Sequence, residues 1–357
     1  MHLTVALPGL LWPDLGDIDY LYAQIQTTNL DRLIKHASIS HLNYSYSDLL
    51  YMNQISLNKP AVSLSHKMDP GLRRDDMSGA HNSLATSIAQ DLGVIDGSKT
   101  FLIAEPTHLR ADRDRLLISE AELLQLDTTE AQAIIAAINQ HFNAEINLYY
   151  VTEHLWLIGL NLTKAHNKFF PIVDIIGENI DPYLPKQEQA IQYSRLLNEI
   201  QMLLFTLKSN QQRQQDGSLT VNSLWLWDKE PCTQQMQRYS HIFANNIQAL
   251  STKHVTISPL PNPIDAAFLP NACVVVDSLY YPCCYRDHYA WVKQLDIIDT
   301  QVATILCRLL QQRQLTELTL LIPMANRTMQ LQINQYSKYQ FWKNTTLQKL
   351  AKEIHEI

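Results

Sequence analysis

The segment Ser223-Leu224-Trp225-Leu226-Trp227 is apolar on both of its alternating faces. A short run of that kind reads as a strand covered on both sides, as in the middle of a parallel sheet. The residues before it read as a helix. Tyr193, Leu196, Leu197, Ile200, Leu203 and Leu204 recur at three- and four-residue steps and make one apolar stripe. A polar stretch containing Gly217 joins the two. A helix handing over to a buried strand predicts an α/β core.

The same pattern recurs on either side. Leu3 to Leu7 reads as a first strand ended by Pro8-Gly9, and Leu21 to Lys35 as a helix. Residues 36 to 80 have weak periodicity and predict loops and short helices. Leu84 to Leu92 predicts a helix stopped by Gly93. Phe101 to Ala104 is strand-like. Asp127 with Glu130 forms a capping-box pattern before a helix whose face is Ala131, Ile134, Ile135, Ile138 and Phe142. Ile146 to Tyr150 and Leu155 to Leu160 predict a hairpin around Thr152-Glu153. Later, Cys232 to Leu250 predicts an amphipathic helix and Val255 to Ile257 a short strand. Ala272 to Val276 predicts a strand ending in Asp277, and Val292 to Leu310 a helix. Leu318 to Ile322 and Met329 to Ile333 predict closing strands. Strand-helix-strand order favours a largely parallel sheet with ligands at the carboxyl ends of its strands.

A chain of 357 residues is long for one compact domain. The change of character near Phe101 suggests that residues 1–97 and 185–357 form one sheet domain, with 98–184 as a small inserted α+β domain. A formal net charge of -7 supplies no basic footprint for nucleic acid. No apolar run reaches membrane-spanning length, and MHLTVALPGLLWP lacks the basic start and long apolar run of a signal peptide. A cytoplasmic protein is expected. The five cysteines, Cys232, Cys273, Cys283, Cys284 and Cys307, show no CxxC spacing, and their odd number suggests reduced thiols. Cys283-Cys284 reads as ordinary thiols or as a redox or metal element; an isolated pair lacks the other ligands a metal needs. Gly97-Ser98-Lys99-Thr100 has the wrong glycine spacing for a phosphate loop and reads as a turn.

Asn198-Glu199-Ile200-Gln201-Met202-Leu203-Leu204, followed by Asn222-Ser223-Leu224-Trp225-Leu226-Trp227, resembles the signature of the RpfE-type bacterial regulatory proteins. Those proteins are similar in turn to the archaeal-type cofactor-independent phosphoglycerate mutases of the alkaline phosphatase superfamily. The resemblance implies that superfamily's α/β fold with an inserted small domain, and marks Asn198, Glu199, Asn222, Trp225 and Trp227 as signature positions. Within the insertion, His166, Asp174-Ile175-Ile176-Gly177 and Leu184-Pro185 are similar in order, although the family's Pro-His-Asp reads Ala165-His166-Asn167 here.

The mutases it resembles use two divalent ions, manganese or magnesium, held by carboxylates and imidazoles at strand ends. Where the resemblance implies an Asp after the first strand, this chain has Pro8. An Asp-x-x-x-His pattern reads Asp277-Ser278-Leu279-Tyr280-Tyr281, and a late Asp-His pair is replaced within Pro323-Met324-Ala325-Asn326. No cofactor is therefore expected unless the chain is an enzyme with an unusual site. Asp277 either lines a pocket or caps the next turn. Asp287 reads as a helix cap. His108, Arg110, Arg113 and Arg115 form a cluster suited to an anionic ligand, unless Asp112 and Asp114 neutralise it on a solvated turn. Three functions stay open: a non-catalytic regulatory protein with a small-molecule or protein partner, a mutase-like phosphoryl-transfer enzyme, and a binding module for an anionic metabolite.

Overall fold

The computed structural model describes residues 2–51, 83–119, 121–143, 145–161, 170–184, 190–230, 239–244, 256–260, 271–325, 327–334, 336–337 and 343–353. The chain divides into two compact units. The first holds Met1–Asn53, Ile176–Glu178 and Gln234–Ile357; the second holds Gln54–Ile175 and Asn179–Thr233.

The first unit begins with β1 (His2–Ala6), α1 (Leu15–Ala23), α2 (Thr28–Ile34), β2 (Ser38–Leu42) and α3 (Tyr46–Tyr51). The second unit contains α4 (Leu84–Leu92), β3 (Thr100–Thr107), β4 (Leu109–Asp112), β5 (Arg115–Ile118), α5 (Thr128–Phe142), β6 (Ile146–Tyr150) and β7 (Trp156–Leu160). It continues with α6 (Ala190–Thr206), α7 (Lys208–Gln215) and β8 (Ser223–Trp227). The chain then returns to the first unit through β9 (His241–Phe243), β10 (Thr256–Ser258), β11 (Ala272–Val275), α8 (Tyr280–Cys284) and α9 (His288–Ile297). It ends there with α10 (Thr304–Gln311), β12 (Glu317–Pro323), β13 (Thr328–Asn334) and α11 (Leu347–Glu353).

The first unit is built on a seven-stranded sheet in the order β10-β9-β11-β1-β12-β13-β2. The five strands from β10 to β12 run parallel, and β13 and β2 are antiparallel to their neighbours. The fold is therefore α/β with a mostly parallel central sheet, as expected. The apolar runs of β1 and β12 bury Leu3, Val5, Leu318 and Leu320 against Trp12, Leu21, Leu30, Trp291 and Leu295. Each such side chain contributes roughly 1.5–3 kcal/mol by leaving water.

The second unit has a four-stranded antiparallel sheet in the order β6-β7-β3-β8, and the separate hairpin β4-β5. All five apolar residues expected on the face of α5 are buried, with Tyr193, Ile200 and Leu204 of α6 in the same core. Asp127 caps α5 by accepting from the Glu130 N–H at 2.8 Å. Gly93 ends α4 in the left-handed region, at φ 70°. Ser98 bonds to Asp96 through both its N–H and its hydroxyl, so the 97–100 segment is the expected turn.

Five expectations are corrected. The segment 36–80, expected as loops and short helices, holds the strand β2, paired with β13, and its residues 52–80 lie outside those described. The segment 223–227 is a fully buried strand, but β8 lies at the end of the four-stranded sheet and does not share a sheet with β1. Its burial comes from cover and not from a central position. Leu224 and Leu226 pack in the α5–α6 core, while Trp225 donates to the Phe170 carbonyl at 2.8 Å and Trp227 to the Glu105 carboxylate at 2.5 Å. Residues 190–227 accordingly group with 98–184 and not with the first sheet. The expected helix at 21–35 is two helices, α1 and α2. Within the expected helix at 232–250, residues 241–243 form β9 and pair with β10 and β11; residues 231–238 and 245–255 lie outside those described. Finally, the expected helix at 292–310 contains a π-helical stretch, Ile298–Ala303, between α9 and α10. Buried Ala303 takes the inward place that a regular period assigns to Val302.

Candidate functional site

In a largely parallel sheet the carboxyl ends of the strands are where loops converge on ligands. At the end of β1, Leu7 N–H still bonds to Leu321 O at 2.8 Å, and the chain then turns at Pro8-Gly9. Gly9 has φ 76°, and a Cβ there would lie 2.6 Å from the Leu279 carbonyl oxygen, so only glycine fits this approach. The Trp291 indole donates to Gly9 O at 2.8 Å and fixes the turn. Beyond β11, Val276 N–H bonds to Ala6 O, which brings buried Asp277 to the same edge. Asp277 O accepts from Tyr280 N–H at 2.9 Å at the start of α8. Beyond β12, which ends at Pro323, Met324 N–H bonds to Arg327 O at 2.8 Å.

Tyr46, at the start of α3, completes this edge. It is buried, and its ring lies 4.7 Å from that of Tyr280, which in turn lies 5.6 Å from Tyr281. Burial first, and the negative charge of Asp277 next, hold the Tyr46 phenol well above its ordinary pKa. The edge thus combines a carboxylate with phenols, of which that of Tyr46 is held neutral. Pro8 and Pro323 have no side-chain donor or acceptor, and Tyr281 carries a hard phenol where the resemblance implies an imidazole. One carboxylate at these positions does not fit a pair of divalent ions. Among the described residues, no group of three or more His, Cys, Asp and Glu side chains is placed to hold a metal ion.

Cys273, Cys283, Cys284 and Cys307 carry no disulfide. Burial pushes the Cys283 thiol up to about 12, which makes it a poor nucleophile. Asp287 caps α9 by accepting from Ala290 N–H at 2.9 Å, as expected, and His288 contacts Asp17 at 3.2 Å.

The anion-binding candidates belong to the second unit. His108 Nδ1 is 2.9 Å from Thr220 O. Arg110, Arg113 and Arg115 are exposed on or beside the β4-β5 hairpin. Register places Arg110, Asp112 and Arg115 on one face, and Arg115 pairs with Asp112 at 4.0 Å. Arg113 occupies the turn with φ 56°. Among the signature residues, Asn222 accepts from Leu109 N–H at 2.7 Å and donates to Leu109 O at 2.9 Å, tying β4 to the start of β8. Glu199 is exposed and pairs with His141 at 3.0 Å, and Asn198 is exposed.

Sequence reasoning missed three buried polar anchors. Arg213 on α7 holds Glu130 with two bonds of 2.5 Å and donates to Leu124 O and Leu219 O. Asn210 binds Leu204 O, Val221 O and Val221 N–H. Asp299, in the π-helical stretch, accepts from Leu30 N–H at 2.7 Å and from Asn29, capping α2. Asn210 and Arg213 sit in a polar run of sequence and Asp299 follows two isoleucines, so only burial and the hydrogen bonds distinguish them from solvated neighbours.

Residues 107–210 match a family model described as 2,3-bisphosphoglycerate-independent phosphoglycerate mutase. The chain is similar to these mutases. The mutase of Methanosarcina mazei is 28% identical over 114 residues, covering 31% of this chain and 28% of that protein. A probable mutase of Geobacter sulfurreducens is 27% identical over 121 residues, covering 34% of this chain and 30% of that protein. The match therefore spans less than a third of each curated relative. Among solved structures, the PH0037 protein from Pyrococcus horikoshii aligns with a TM-score of 0.46 at 9% identity, over 93% of this chain and 87% of that one. The cofactor-independent phosphoglycerate mutase from Thermoplasma acidophilum aligns with a TM-score of 0.37 at 14% identity, over 93% and 89%. The mutase-like segment carries the hairpin arginines, Asn198, Glu199 and Asn210. Pro8, Asp277, Tyr281 and Pro323 all lie outside it.

Proposed function

We propose that this chain is a phosphoglycerate-mutase-like protein of the RpfE regulatory type, non-catalytic as a mutase and acting through a bound small molecule or protein partner. The observation that supports this reading is the strand-end edge of the first unit, where Pro8, Tyr281 and Pro323-Met324 stand beyond the adjacent strands β1, β11 and β12 and Asp277 supplies a carboxylate. Phosphoryl transfer depends on fixed charges that clamp the transferring group. Losing one strong electrostatic stabiliser costs about a hundred- to a thousandfold in rate, and several are replaced here. No helix among the described residues is long and apolar enough to cross a membrane, and a cytoplasmic location is part of the proposal. The test is a coupled assay for interconversion of 3- and 2-phosphoglycerate with excess manganese or magnesium. Turnover at background level is expected; robust turnover abolished by a chelator would establish a mutase with an unusual site.

Exposed Arg110 and Arg113 support a second reading, a module that binds an anionic metabolite at the β4-β5 hairpin. Arginine forks suit carboxylate and phosphate. Titration with 3-phosphoglycerate should then show binding that weakens on replacing both residues with Ala. Unchanged affinity would leave the hairpin as a solvated turn.

A further inference from the structure

The second unit has a pocket of about 450 Å³ between the β4-β5 hairpin and helices α6 and α7. Its size falls in the range of small-molecule sites, roughly 300–1,000 Å³. The hairpin wall is apolar: Leu109, Ala111 and Leu116 share one face by register, opposite to the face of Arg110 and Arg115. The helical wall carries Gln201, Phe205, Gln211 and Gln214. Asn210 and Asn222 lie beneath, with their carboxamides committed to backbone groups, so the floor is rigid.

The lining contains no ionisable side chain. A carboxamide offers both a donor and an acceptor, which suits hydroxyl groups that need one of each. Gln201 donates to Ser223 Oγ at 3.0 Å, which fixes its carboxamide in the pocket lining. Gln211 and Gln214 are exposed along the helical wall. Phe205 is 79% exposed and sets a flat apolar ring at the rim. Burying a phosphate or carboxylate here, with no cation in the lining, would be costly. We propose that this pocket binds an uncharged, polyhydroxylated small molecule, its hydroxyls on the glutamine carboxamides and its C–H face on Phe205 and the hairpin leucines.

The test is saturation-transfer NMR on the full chain with D-glucose, D-galactose, D-mannose and glycerol as probes, and 3-phosphoglycerate as the charged comparison. At least one neutral probe should show transfer. Phe205→Ala and Gln214→Ala, both at exposed positions, should each weaken its affinity about fivefold, the worth of one modest contact, while thermal unfolding stays unchanged. Absence of transfer from all four neutral probes would overturn the proposal. So would affinity unchanged in both variants, or tighter binding of 3-phosphoglycerate that both variants weaken.

Discussion

Asn222 completes one edge of the β4-β5 hairpin with a side chain, because its carboxamide meets both the N–H and the carbonyl of Leu109. Asn222→Ala removes both partners at once and should cost about 1–3 kcal/mol, read by urea denaturation. Asn222→Asp keeps an acceptor for the N–H but sets it against the carbonyl, so it should recover only part of that loss. Asn222 is half-buried, and its place in the signature was legible in sequence; the partner, 113 positions away in the chain, was not. Asn198 looked equivalent and is exposed. His154 carries a second residue-scale consequence. Its Nδ1 is buried without a hydrogen-bond partner. Burial first, and the positive charge of Arg213 against the opposing pull of Glu153, lower its pKa from the ordinary 6.5. The unfolded chain therefore takes up this proton before the folded one does. Stability should fall as pH drops through about 6.5, and the loss should be complete below the folded pKa. His154→Gln should flatten the dependence of Tm on pH between about 7 and 5. An unchanged slope would show that other groups set it.

Among elements, α5 and α7 are joined by the pair of Glu130 and Arg213, whose side chains are 21% and 9% exposed. Asp127 and Glu130 suggested a reciprocal capping box. Asp127 does cap the helix, but the Glu130 carboxylate is held by Arg213 instead. Removing one partner leaves the other charge buried, so Arg213→Met and Glu130→Leu should each cost about 3–5 kcal/mol. The double variant should cost much less than the sum of the two. Additive losses in a denaturation cycle would show that the two charges act independently. Strands and helices with strong apolar periodicity were legible: β1, β3, β11, β12, α4, α5 and α6 stand where the spacing puts them. Sheet membership was not. Burial on both faces of β8 comes from α6 and from the bonds of Trp225 and Trp227, and periodicity does not register which neighbour supplies the cover. The π-helical stretch was equally hidden. It turns Asp299 toward the first amides of α2, and the gain there is a cap that a regular helix would aim elsewhere.

Over the whole molecule, β1 sits between two strands that come very late in the chain. Thr4 faces Cys273 on β11, and Leu3 faces Leu318 on β12. The strands of the four-stranded sheet, by contrast, all fall between residues 100 and 227. Contacts between distant parts of a chain bear a larger loop-closure cost and form more slowly. In pulse-labelled hydrogen exchange during refolding, the amides of β3 and β7 should gain protection before those of β1. Simultaneous protection would mean that the two sheets form as one cooperative step. Time therefore enters the structure during synthesis: the chain must be made through residue 275 before β1 has either neighbour, and through residue 323 before it has both. For that interval Leu3, Val5 and Leu7 form an apolar strand without a sheet. A segment made so long before its neighbours is among the last to be shielded, and so is a natural place for a chaperone to hold the chain.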